Sequence, residues 1–169
     1  SNSAFGRAAL IYNTSGVSNS AVGRSALYAN TVGQGNSAFG DVAMVNSVTG
    51  NYNNAFGVSA LGALTTGSNN VGIGYQVGST VLTTGSNNIL IGTSSAVDAP
   101  AAGTSNWLNI GNTLYGDLSN NRIAIGNGVT TTTAGVTFDL GNVTDSMRLP
   151  LGNTVQRPAT GAQGMFRYN

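Results

Sequence analysis

Few side chains in this sequence could do chemistry. The acids are five aspartates, Asp41, Asp98, Asp117, Asp139 and Asp145, the bases are six arginines, and Lys, Glu, His and Cys are absent. Without His, Cys or Lys there is no nucleophilic triad, no general-base histidine and no Schiff-base lysine. Thiolate metal sites and the Walker phosphate loop go with them. What remains is a carboxylate pair of the glycosidase kind. Asp139 and Asp145 are close enough in sequence to meet, but both stand in turn-like sequence, where Asp is expected for its local hydrogen bonds. A polysaccharide depolymerase is therefore the last of the functional alternatives. Gly72, Gly74 and Gly78 approach a dinucleotide fingerprint with the wrong final spacing, and calcium-binding rolls need Asp in each turn where this chain places Asn or Ser. The expectation is a protein that is not an enzyme, with no catalytic, cofactor-binding or metal residues, no cofactor, and receptor-binding residues that are unknown from the sequence.

Binding candidates are also sparse. Arg7 and Arg24 each follow an equivalent glycine, and Asp41 takes the same place next. An outward rung pairing Arg24 with Asp41 is the plain reading, and a patch for anionic glycans the sharper one. Trp107, the single Trp, reads as a large aromatic that seals an irregular turn of chain in preference to a sugar-stacking platform. Tyr12, Tyr28 and Tyr52 fall at non-equivalent places and form no stripe. A net charge of +1 with no basic stripe argues against nucleic acid and acidic membrane as partners. No run approaches the roughly 18 apolar residues of a membrane span.

The elements that would position these residues are set by a repeat. NSAFGRAAL at Asn2 returns as NSAVGRSAL at Asn19, NSAFGDVAM at Asn36 and NNAFGVSAL at Asn53. Its glycine falls at Gly6, Gly23, Gly40, Gly57 and Gly74 in steps of 17 residues, then at Gly92 after 18. A second glycine column runs through Gly16, Gly33, Gly50, Gly67 and Gly85. So regular a period means a solenoid. Its coils are predicted as parallel β with strands at 3–5, 20–22, 37–39, 54–56, 71–73 and 89–91, because glycine and Asn in every coil leave no room for a stable helix. Equivalent residues would lie about 4.8 Å apart, where like charges repel by roughly 1 kcal/mol even in water, so a charge-poor, Asn- and Thr-rich composition suits the stack.

Two apolar ladders follow. Phe5, Val22, Phe39, Phe56, Ile73 and Ile91 are expected to face a core, and Leu10, Leu27, Met44 and Leu61 form the second, beside Ala9, Ala26, Ala43 and Ala60. Asn2, Asn19, Asn36, Asn53, Asn70 and Asn88 are placed in a left-handed turn as an amide ladder. Residues 1–92 read as regular β-roll. Residues 93–126 read as an irregular continuation of the rod, with a loop insertion TSSAVDAPAAGTSNW and the apolar ladder resumed at Ile110 and Ile125. Residues 127–169 read as an extended β/irregular segment, with a strand through Val136, Phe138 and Leu140, leading to a C-terminal domain beyond the chain. Two apolar ladders on so thin a coil also favour self-association.

The phrases NSAFG, NNAFG, NNVGIG and NNILIG, with ALYANTVG at 26–33, resemble the head repeats of trimeric autotransporter adhesins and the similar repeats of bacteriophage tail fibres. The later stretches NWLNIGNTLYGD at 106–117, NRIAIG at 121–126 and LPLGNTVQRPATGAQGMFRYN at 149–169 are similar to segments near the distal end of such fibres, so the phage version is closer. The resemblance implies an all-β fold, a left-handed parallel β-roll or β-solenoid wound as an intertwined homotrimer. It further implies a structural protein of the virion, acting as spacer and adhesive surface in host attachment. Its partners would be other fibre segments and a host cell-surface glycan or protein, without membrane insertion or nucleic acid. A bacterial trimeric surface adhesin head is the alternative. The period here is longer than in adhesin heads, so coil details are not transferred.

Overall fold

The computed structural model describes residues 1–126 and the two-residue strand 138–139. The described chain is all-β without a helix, a β-solenoid of about six turns with coils about 17 residues apart. Each regular coil has one three-residue strand: β1 (Ser3–Phe5), β2 (Ser20–Val22), β3 (Ser37–Phe39), β4 (Asn54–Phe56), β5 (Val71–Ile73) and β6 (Ile89–Ile91). These are the strands the repeat predicts. They pair in parallel and in register, Ala21 beside Ala38 beside Ala55. β7 (Trp107–Ile110) adds in parallel to β6, and β8 (Leu114–Asp117), β9 (Arg122–Ile125) and β10 (Phe138–Asp139) complete a ten-stranded sheet.

The core is built from the position before each ladder residue. Ala21, Ala38 and Ala55 are fully buried, as are Leu27, Met44 and Leu61 in the second column. Small against large fills a roll too thin for two large side chains. The fifth coil has Gly72 in place of the alanine and Gly78 in place of the leucine, and Leu61 from the coil before and Leu90 from the coil after fill the space. A further column, not recognised in the sequence, changes from polar to apolar along the stack: Asn30 and Ser47 give way to Leu64 and Leu82, all buried.

The Phe5 to Ile91 ladder does not face this core. Phe39 is 37% exposed and Phe56 44%, because strand side chains alternate faces and the flanking alanine takes the inside. The asparagines also differ from expectation. The left-handed residue is the one before each, at Ser18, Tyr52, Asn69 and Asn87, and the asparagines themselves point inward. Asn19, Asn36, Asn53, Asn70 and Asn88 are buried. Asn53 is typical: its Nδ2 donates to Gly67 O at 2.9 Å, and its Oδ1 accepts the Asn70 N–H at 2.9 Å. Each amide thus closes its own coil and pins the next. The amide ladder is present, but inside the roll.

Both glycine columns are steric necessities. A Cβ on Gly40 or Gly50 would sit within 3.0 Å of the next coil's carbonyl, that of Gly57 or Gly67. Leu27, Met44 and Leu61 themselves hold φ near +50°, a left-handed conformation costing about 1–2 kcal/mol per residue. They keep it because neighbouring coils bond them, the Leu27 N–H to Ala43 O at 3.0 Å and the Met44 N–H to Ala60 O at 3.0 Å. No single coil can hold itself.

The segment 93–107, expected to be a loop, is the irregular far side of a sixth coil. Val97 O accepts the Gly78 N–H, and Ala102 O accepts those of Thr83, Thr84 and Gly85, as Thr31 O does for Thr14, Ser15 and Gly16. The winding then stops. Only residues 111–113 separate β7 from β8, too few for another coil, so the chain reverses and β7, β8 and β9 form an antiparallel meander. The rod is therefore not continued as coils to residue 126. β10 lies parallel to β9, Phe138 opposite Ile123; Val136 and Leu140 lie outside the described residues.

Gly40→Ala is expected to cost about 3 kcal/mol or more, from the left-handed φ and the carbonyl clash together. Gly111→Ala has φ +59° but open space around it and is expected to cost about 1 kcal/mol. Thermal unfolding of the two variants checks the order; equal losses would remove the steric account of the column.

Candidate functional surface

The strand residues that point out of the roll form two parallel rows. One is the ladder Phe5, Val22, Phe39, Phe56, Ile73 and Ile91, continued by register through Ile110, Leu114 and Ile125. The other, two residues earlier, begins polar with Ser20, Ser37 and Asn54 and turns apolar at Val71, Ile89, Leu108 and Ile123. The face spans β1 to β9, roughly 38 Å at the strand spacing. None of these residues is charged. Phe5, Val22, Phe39, Phe56, Ile73 and Ile110 are 36% to 77% exposed, and Phe39 stacks on Phe56 with ring centres 5.0 Å apart and planes 1° from parallel. Isolated exposed apolar residues need no explanation, but a contiguous sheet face does. The sequence displays the second row as the alternation in Val-Gly-Ile and Ile-Leu-Ile, a signal hidden upstream by serine.

Other candidates are separate features. Arg24 Nη2 donates to Asp41 Oδ2 at 2.7 Å on the exposed surface, the expected rung, and that bond together with the Asp41 charge holds the guanidinium above its ordinary pKa. A screened pair of this kind adds little stability. Tyr12 and Tyr28, non-equivalent in the repeat, nonetheless meet edge to face at 4.9 Å, with their hydroxyls 3.3 Å apart. The contact was not visible as periodicity because the two sit one place apart in adjacent coils. The hydrogen bond to Tyr12 raises the Tyr28 pKa above its usual value. Trp107 is buried in the Asn ladder position, its backbone N–H donating to Asn88 Oδ1 at 2.8 Å and its ring 6.0 Å from Tyr115. It ends the amide column as a cap.

The aspartates are dispersed. Asp98, 8% exposed, accepts the Thr80 N–H and hydroxyl and the Val81 N–H on Oδ2, and the Leu82 and Ala99 N–H groups on Oδ1. This carboxylate satisfies the turn of the fifth coil, a structural task that a "DAP" in an apparent loop conceals. Asp117 ends β8 where the chain turns to β9, bonded by Ser119 and Asn120, which hold its carboxyl below the usual range, with Arg122 at 3.8 Å. Asp139 lies in β10 opposite Ala124, and Asp145 is outside the described residues. Among the described residues no three acidic, His or Cys side chains group as a metal site, and no helix is long and apolar enough to cross a membrane.

Asp98→Ala leaves several buried N–H groups without an acceptor and is expected to cost about 3 kcal/mol, read as a lower melting temperature. The depressed Asp117 pKa implies stability present above the unfolded value near 4 and lost as pH falls through the folded value. Acidification below about pH 4 should therefore lower the protection factor of the Leu118 amide, the factor by which its exchange is slowed relative to an unstructured chain at the same pH, and Asp117→Asn should abolish that pH dependence. Comparison of the chain with protein-family models, with curated proteins and with solved structures gives no match.

Proposed function

We propose that the chain is a structural and adhesive segment of a homotrimeric bacteriophage tail fibre, extracellular on the virion, serving as spacer and as receptor-binding surface for host attachment. The supporting observation is the uncharged outer face of the sheet, apolar along its whole ladder row. A solenoid exposing such a face needs a partner along the full rod, and only a rod of the same pitch offers rows that match rung for rung. A second and third copy satisfy this, each placing its Phe39–Phe56 and Ile73–Ile91 columns toward a common axis. Phe39 is 37% exposed and Phe56 44%, so covering what remains of such a side chain is worth about 1 kcal/mol at each rung. The remaining, outward side of each coil meets solvent and host. There the contacts to a cell-surface glycan or protein are shallow, and binding gains strength from three equivalent copies acting together. The resemblance of the repeat and of the 149–169 phrase to tail fibres supports the same reading.

Light scattering coupled to size exclusion is expected to return three times the 17.0 kDa of one chain. A folded species at the mass of one chain would overturn the proposal. Phe39→Asp should reduce the mass to one chain while the inward columns of the coil are spared, whereas Arg7→Ala should leave both mass and melting unchanged; a trimer that persists in the Phe39 variant would exclude this face as the contact.

A further inference from the structure

Tyr52 occupies a place in the coil that its own side chain disfavours. The residue before each buried asparagine is left-handed: Ser18, Gly35, Tyr52, Asn69 and Asn87 hold φ between +56° and +68°. Gly and Asn take this conformation readily, whereas for a bulky residue it is a strained exception, and strain kept at an exposed position points to use. Tyr52 is 56% exposed. The coil before makes room for it. A Cβ on Gly35 would stand 2.6 Å from Tyr52 Cδ1 and 2.8 Å from Cε1, so the ring rests with that edge against the Gly35 backbone. The Tyr52 N–H donates to Gln34 O at 2.9 Å, and the stack thus holds the main chain that presents the ring to solvent. Its neighbours are neutral hydrogen-bonding groups. Gln34 and Asn51 precede the left-handed place in their coils, and Asn69 follows Tyr52 on the next rung, about 4.8 Å along the stack. Asn51 Oδ1 accepts the Gln34 N–H at 2.9 Å, which leaves its Nδ2 as a donor. The side-chain amides of Gln34 and Asn69, both exposed, have no partner among the described residues. Neither of these two places holds a charged residue in the first five coils.

We propose that Tyr52, with Gln34, Asn51 and Asn69, is a binding site for a neutral pyranose, the C–H face of the sugar lying on the ring and its hydroxyls meeting the amides. A ring with an apolar body and a polar tip suits a molecule that has an apolar face and a polar edge. Side-chain amides both donate and accept, as adjacent sugar hydroxyls do. An acidic sugar or a phosphorylated headgroup would find no cation in these two columns. The inference deepens the host-attachment reading, on which it rests for the source of the sugar, a glycan at a cell surface. Tyr52 stands in the turn that leads into β4, outside the two strand rows assigned to the contact between copies.

The test titrates cellotetraose, galactobiose and chitotriose into the assembled chain and follows the Tyr52 ring and the Gln34, Asn51 and Asn69 side-chain amides by NMR. At least one of these sugars is expected to shift the four signals and to bind in the millimolar range, the strength of a shallow contact with one ring. Tyr52→Asn, which installs the residue that the next two coils carry there, should weaken binding about tenfold, the factor that one lost aromatic stack is worth. Its melting temperature should hold or rise, because the left-handed strain is relieved. Tyr75→Ala, at a tyrosine 54% exposed but without a left-handed φ, should leave binding as it was. The proposal is overturned if none of the three sugars shifts the Tyr52 signals. It is overturned too if binding survives Tyr52→Asn, a result that would move the sugar elsewhere on the rod and leave the host-attachment reading in place. A lower assembly mass for Tyr52→Asn would likewise overturn it, for the ring would then be a contact between copies.

Discussion

Everything in this molecule depends on superposing one coil on the next at the spacing of a parallel sheet, about 4.8 Å. That spacing forbids a Cβ wherever two turns cross at their carbonyls, hence the columns through Gly40 and Gly50. It also brings equivalent asparagines into bonding range, so that one buried amide closes its own coil and accepts from the following backbone. The left-handed leucines are tolerated for the same reason, since the energy lost at each is returned by a bond to a neighbouring coil. Order is thus a property of the stack, and stability accumulates by nearest-neighbour terms.

The same constraint decides which residues remain for other molecules. A roll one alanine and one leucine thick has room for a single inward side chain per strand, so the large residue after each alanine must face out. The result is an uncharged face whose apolar ladder row follows the rod from β1 to β9. Polar chemistry is spent on internal joints: Asp98 satisfies a turn, Asp117 a hairpin, Arg24 and Asp41 a rung. Among the described residues no three acidic side chains group together.

Where the repeat fails, the failures have physical causes. Gly72 leaves room for Leu61, and Gly78 for both Leu61 and Leu90, where a Cβ would stand. The lengthened sixth coil still delivers Ala102 O to the three amides that need it, and Trp107 replaces the last amide and closes the column. A three-residue connection then forces reversal, and the antiparallel meander is laid onto the final coil.

By itself the sequence determined the period, the strand positions from Ser3 to Ile91 and the stacking of glycine on glycine, because each follows from residue type at fixed spacing. The Arg24–Asp41 rung was legible for that reason. Tertiary structure decided which way each column faces. Phe39 and Ala38 are both apolar and adjacent, and periodicity cannot say which is inside until the thickness of the roll is known. It decided likewise that the asparagines turn inward, that the residues around Asp98 complete a coil, and that Tyr12 meets Tyr28, since these depend on how residues with no shared phase are brought together by neighbouring coils.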